Sequence, residues 1–156
     1  MAFCCSVILL SYREDILGSL LAPLTMMTAR TTLSLLHWMG MEAVRTANLI
    51  YHPDGFVYEI YYRCTGFLPA ALLTVAMLSY PRPLMHKICG LAVGVFVLLV
   101  LNLTRLVHLF FIGVYYPAAF EIVHTAIWQV LIILVSVGIW LGWINWTQAE
   151  QNVVPV

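Results

Sequence analysis

The stretch Ile88–Gly113, ICGLAVGVFVLLVLNLTRLVHLFFIG, decides how this chain is read. As an α-helix rising 1.5 Å per residue it would be roughly 39 Å long, enough to cross a hydrocarbon core about 30 Å thick. Its polar interruptions are Asn102, Thr104, Arg105 and His108. Upstream, Thr65–Tyr80 carries no charge and stops at Pro81-Arg82-Pro83, where two prolines end a helix. Downstream, residues 120–146 are free of charge from Thr125 onward and finish in Trp140, Trp143 and Trp146, an interfacial aromatic belt. A weaker apolar stretch, Ile16–Met41, is interrupted by Arg30 and a run of threonines. The pattern predicts an all-α polytopic membrane protein with about four transmembrane helices, spanning residues 16–41, 65–80, 88–113 and 120–146.

Composition points the same way. Of 156 residues, 63% are hydrophobic and 9% charged, whereas soluble domains run near half apolar and a quarter charged. The length leaves room for one membrane domain over residues 1–156 and no separate soluble one. Seven basic residues balance seven acidic ones, which gives no basic surface for nucleic acid. The cysteines Cys4, Cys5, Cys64 and Cys89 form no CxxC pair, and Cys4–Cys5 reads as apolar filler more readily than as a lipidation site. Residues 1–15 are irregular and lack a basic lead and a small-residue cleavage pattern, so the first segment is expected to be retained.

Between the first two spans, residues 42–63 are the most polar part of the chain. The turn His52-Pro53-Asp54-Gly55 separates Asn48–Tyr51 from Phe56–Tyr62, both rich in β-branched and aromatic residues. A short β-hairpin-like segment on the membrane surface is expected. The loop Pro81–Lys87 carries Arg82 and Lys87 without an acid, and Val114–Val123 carries no Lys or Arg. By the positive-inside rule the first loop is cytoplasmic and the second extracytoplasmic. The hairpin segment then lies outside and the tail, 147–156, inside. Arg45 and Arg63 run against this assignment.

On that topology three reactive side chains reach the outer side. Cys64 closes the polar segment, Arg105 lies about 26 Å up the third span, and His124 opens the fourth. Singly, each has a plainer explanation as a packed cysteine, a snorkelling arginine or an interfacial histidine. Together they fit thiol chemistry. A thiolate nucleophile needs a base or cation beside it; His124 would shuttle the proton, and Arg105 would hold the thiolate or the oxyanion of a tetrahedral intermediate. Asn102, one turn before Arg105, would orient it or donate a hydrogen bond, and Gly66 would let a substrate backbone approach Cys64; Glu121 would steady His124 or, as readily, be a solvated acid at a helix start.

These residues resemble the exosortase/archaeosortase membrane transpeptidases, and the chain looks like the short bacterial members. The likeness lies in Arg63-Cys64-Thr65-Gly66, in Asn102-Leu103-Thr104-Arg105, in His124 at the last span, and in the approach Gly55, Phe56, Ile60. It covers about residues 40–146; the larger members have further N-terminal spans. It implies a thiol protease or transpeptidase of the bacterial cytoplasmic (inner) membrane with catalytic Cys64, Arg105 and His124, supported by Asn102, Thr65 and Gly66. It implies no cofactor and no metal. The implied partners are secreted proteins with C-terminal sorting tails (short motif, apolar helix, basic end), cut at the outer face and passed to a surface acceptor, with membrane lipid around the enzyme. The competing expectation is a non-catalytic membrane assembly or transport subunit in which Arg105 pairs structurally. A metal site from His108, His124 and Cys64 is disfavoured, because the nearby guanidinium would repel a cation.

Overall fold

The structure is a computed structural model and describes residues 17–153; the expectations for residues 1–15, Cys4 and Cys5 included, lie outside that range. The chain divides into two compact units after Thr65.

In the first unit, helix α1 spans Ala22–Trp38, with Pro23 in its first turn. Threonines ordinarily compete with helix backbone, but here Thr25, Thr28, Thr31, Thr32 and Ser34 each donate to the carbonyl four residues back. That pattern satisfies the hydroxyls inside the helix, so the threonine run does not break it. Thr25, Ala29, Thr32 and Leu36 form one buried stripe at helical spacing. The helix ends at Gly40, whose φ of +81° is the left-handed cap. Met41 N–H reaches back to the Leu36 carbonyl at 2.9 Å, the closure of a Schellman motif.

Three antiparallel strands follow in the order β1 (Val44–Thr46), β2 (Leu49–Tyr51) and β3 (Val57–Glu59). Tyr51 pairs with Val57 across the turn, where Gly55 (φ +93°) donates to the His52 carbonyl at 3.0 Å. A tight turn closed by a left-handed Gly is the usual device for a three-residue hairpin loop. α1 packs on β1 and β2, and Ile50, Tyr58 and Ile60 are buried. A 3₁₀ turn, Tyr62–Thr65, closes the unit and also packs on α1.

The second unit is helical: α2 (Phe67–Ser79), α3 (Leu84–Tyr115), α4 (Pro117–Ile122), a π-helical turn (Val123–Ile127) and α5 (Trp128–Val153). α2, α3 and α5 pack mutually around Leu73, Met77, Leu98 and Trp143. Close approach rests on Gly90 and Gly94 of α3: a Cβ at Gly90 would stand 2.3 Å from the Trp143 ring, and one at Gly94 2.8 Å from Leu73. Small residues four apart let membrane helices come together. Trp143 Nε1 donates to the His86 carbonyl at 3.0 Å, and Lys87 Nζ donates to the Leu78 carbonyl at 2.7 Å, covering an orphan acceptor at the end of α2.

Two segments, Leu84–Tyr115 and Pro117–Gln148, are each 32 residues long and apolar enough to cross a membrane. Over an apolar 18-residue stretch of each, only 17% is buried within the chain, and the outer surface carries Val93, Phe96, Val130 and Leu134 among other exposed apolar side chains. The buried positions meanwhile include Asn102, Arg105 and Thr147. A soluble core helix would show the reverse, so this surface is built for lipid. The other two expected spans are shorter. α1 has 17 residues and α2 has 13; α2 reaches about 20 Å, less than the hydrocarbon thickness. The last helix also runs past Trp146, where the belt ends, to Val153.

Candidate functional site

The second unit carries Asn102 and Arg105 on α3 and His124 on the segment that follows Tyr116. Along α3, the buried positions Leu98, Asn102, Arg105, Leu106 and Leu109 recur every three or four residues, which turns Asn102 and Arg105 to the packed side rather than to lipid. Arg105 is 7% exposed, and its Nε finds no hydrogen-bond partner among the described residues. Burying an N–H of a charged group without a partner is costly, so packing alone does not account for it.

α3 and the segment from Pro117 form an antiparallel pair joined at Tyr116. Gly90 lies against Trp143, Gly94 against Ile139, and Trp128 Nε1 donates to His108 Nδ1 at 3.0 Å. Continued toward the connection, that register sets His124 roughly one to two helical turns closer to Tyr116 than Arg105, about 6–10 Å along the axis. An arginine side chain spans much of that interval, and the Arg105 charge reaches the His124 imidazole electrostatically, as does that of Glu121. The ring of His124 stacks on Phe120 with centroids 5.7 Å apart.

His124 also stands in the π-helical turn Val123–Ile127. Such turns insert one residue into a helix, re-aim the side chains beyond it, and concentrate at functional sites. Nothing in the local composition announces it. The His108–Trp128 pair, with ring centroids 5.7 Å apart, was likewise not anticipated; a Trp and a His on different spans carry no pairing signal in sequence.

Gly66 has a packing task within the second unit. Its φ is +76°, and a Cβ there would lie 3.1 Å from both Cβ and Cγ of Asn102. It lets α2 start against α3, with Asn102 (3% exposed) filling the space a side chain would need.

Cys64 and Thr65 belong to the first unit. Cys64 is a buried thiol in the 3₁₀ turn, its N–H held by the Tyr61 carbonyl at 2.8 Å. Thr65 Oγ1 donates to the Tyr62 carbonyl at 2.6 Å, so its hydroxyl fixes the turn that carries the cysteine. Just upstream, the Tyr61 hydroxyl donates to Glu59 Oε2 at 2.6 Å, and that carboxylate holds the exposed phenol above its ordinary pKa. Among the described residues no group of three His, Cys, Asp or Glu side chains is placed to hold a metal ion.

Residues 1–142 match the model of the transmembrane exosortase family. The chain belongs to that family. The match includes the N-terminal stretch as well as the segment from residue 40 on which the sequence likeness rests, and membership together with the lipid-facing helices makes this an integral membrane protein. No curated protein and no solved structure matches the chain.

Proposed function

We propose that this exosortase is a membrane cysteine transpeptidase that cleaves a C-terminal sorting signal on secreted proteins at the extracytoplasmic face of the bacterial cytoplasmic membrane. The observation that carries the reading is Arg105: a buried guanidinium whose Nε–H has no partner among the described residues, on the same packed face as Asn102 and within electrostatic reach of His124. A group held this way is ready for an anionic partner that arrives with substrate.

In the proposed reaction His124 takes the Cys64 proton and the thiolate adds to the scissile carbonyl. Arg105 stabilises the oxyanion. Collapse breaks the C–N bond, and the imidazolium returns its proton to the departing amine. The thioester then passes its acyl group to a surface nucleophile, whose proton leaves through His124, and the thiol is regenerated. Asn102 and Gly66 position Arg105 by fixing the contact of α2 and α3, and Thr65 braces the turn that bears Cys64. The whole chain acts as one membrane domain, with the sheet of the first unit outside.

The test is processing of a co-expressed secreted protein ending in an apolar helix and a basic cluster. Cys64→Ala is expected to abolish it with normal membrane insertion. Arg105→Lys keeps the charge but loses the planar fork and is expected to lower the rate at least tenfold. Normal trimming by Cys64→Ala would refute the catalytic assignment and favour a non-catalytic assembly subunit.

A further inference from the structure

The sheet of the first unit has two edges, and they are built differently. The ladder phase follows from two bonds between β2 and β3: Ile60 N–H to the Asn48 carbonyl at 3.0 Å, and His52 N–H to the Phe56 carbonyl at 2.9 Å. Residues 56, 58 and 60 therefore turn their backbone groups toward β2. By the alternation of antiparallel pairs, Val57 and Glu59 turn theirs away, and no strand among the described residues pairs with them. At the opposite edge Arg45 is the outward-turned residue of β1. A charged side chain is a common guard against strand addition. On β3 the corresponding residue is Val57, apolar and 49% exposed. The other outward-turned residue of β3, Glu59, is charged, and its carboxylate is held by Tyr61 Oη–H and Asn48 Nδ2, as Arg45 Nη1 is held by the Ala47 carbonyl; the edges differ at the apolar Val57.

We propose that this β3 edge is a docking strand: the extended segment of the substrate beside its scissile bond adds to Val57–Glu59 as a fourth strand. The inference rests on the transpeptidase reading and names how that site takes its peptide. An edge of alternating N–H and C=O groups recognises an extended backbone, whatever its side chains. What singles out the substrate over any other strand is continuity, because β3 runs into the turn that holds Cys64 five residues after Glu59. Five residues of chain reach at most roughly 13 Å here, or up to about four residues of a strand. Backbone pairing at Val57 and Glu59 thus grips the peptide within about four residues of the bond to be cut, the span of a short sorting motif.

Proline tests this directly. Val57→Pro deletes an outward N–H and leaves the β2–β3 ladder intact, since that N–H takes no part in it. Processing is expected to slow about 3- to 10-fold, the worth of one backbone hydrogen bond, with Cys64 alkylation unchanged. Arg45→Pro, the matched change on the guarded edge, is expected to stay within about twofold on the same hydrogen-bond scale. A photo-crosslinking residue at position 57 supplies an independent reading, in membranes of the Cys64→Ala variant with the tail-bearing secreted protein co-expressed. Crosslinks to that protein near its cleavage point support the docking strand. Crosslinks only to lipid or to a second copy of this chain, or wild-type processing by a folded Val57→Pro, overturn it. Should Cys64→Ala process normally, the catalytic assignment falls, and the crosslink still decides the docking.

Discussion

Gly90→Ala adds one methyl group to α3, and the structure says where it goes: 2.3 Å from Cδ1 and Nε1 of Trp143. No ring tolerates that distance, so either the helices separate or Trp143 moves. Trp143 is poorly free to move. Its Nε1 donates to the His86 carbonyl, its ring meets Tyr80 edge-on at 6.0 Å, and it packs with Leu73, Met77 and Leu98. Overpacking of this kind costs about 1–3 kcal/mol, and loss of the indole hydrogen bond costs about 1 more. Against this, alanine in place of glycine favours the helix by about 1 kcal/mol. The net is a destabilisation of about 1–3 kcal/mol. Gly138 and Gly142 on α5 are the internal reference, because a Cβ at either meets nothing within 4 Å; Ala there is expected to be neutral or stabilising. Unfolding in mixed micelles, titrated with denaturing detergent and followed by tryptophan fluorescence, reads the difference. Trp143→Leu in the Gly90→Ala background should recover part of the loss through the coupling expected of touching residues. Equal stability of Gly90→Ala and Gly138→Ala would refute the argument, and with it the close packing of α3 on α5.

Gly66→Ala combines a left-handed backbone with a methyl group 3.1 Å from Asn102. It is expected to cost about 1–2 kcal/mol for the backbone alone and to depress tail processing beyond that loss, whereas Gly55→Ala, with open space around it, should show the backbone cost only. The Tyr61 phenol, held protonated by Glu59, is expected to titrate above its ordinary value of 10.0; its contribution to stability is complete below that pH and is lost as pH rises through the raised folded value. Phenolate absorbance should show Glu59→Gln moving the titration back down, and an unmoved titration would discard the Glu59 explanation. Trp128→Phe removes the donor to His108 and is expected to cost about 0.6–1.7 kcal/mol, the range for interhelical hydrogen bonds in membranes, in the same detergent titration.

The long apolar helices were legible because a lipid-facing helix needs no pattern beyond continuous apolarity. Ile88–Gly113 and Thr125–Trp146 could hardly be anything else, and the helices extend them only at their ends, to Leu84–Tyr115 and Pro117–Gln148. Helix α1 was harder to read. Its threonines look like breakers until each hydroxyl is seen to bond four residues back, a geometry that exists only once the helix has formed. Strand β1 escaped notice because Val44-Arg45-Thr46 is three residues long and finds its partner only through the left-handed turn at Ala47. At the site, the residue types of Arg105 and His124 were visible, but their relation was not. It depends on the register of two antiparallel helices, which Gly90, Gly94 and the His108–Trp128 pair set from a distance.

That register also bears on why an arginine stands in α3 at all. A charged residue near the centre of a span costs about 2.5–3.5 kcal/mol on insertion scales, less toward the interface, and snorkelling recovers part of the cost only when the side chain can reach water. Arg105 is turned to the packed face and is 7% exposed, so it does not reach bulk water. A purely structural arginine would offset the cost with a full set of acceptors, yet Nε lacks one among the described residues. A leucine at position 105 would continue the apolar stripe of Leu98, Leu106 and Leu109 at lower cost. On stability alone, Arg105→Leu should therefore insert at least as well as the parent chain while processing fails. Should Arg105→Leu instead unfold, the guanidinium would be part of the scaffold and its burial would carry no chemical meaning.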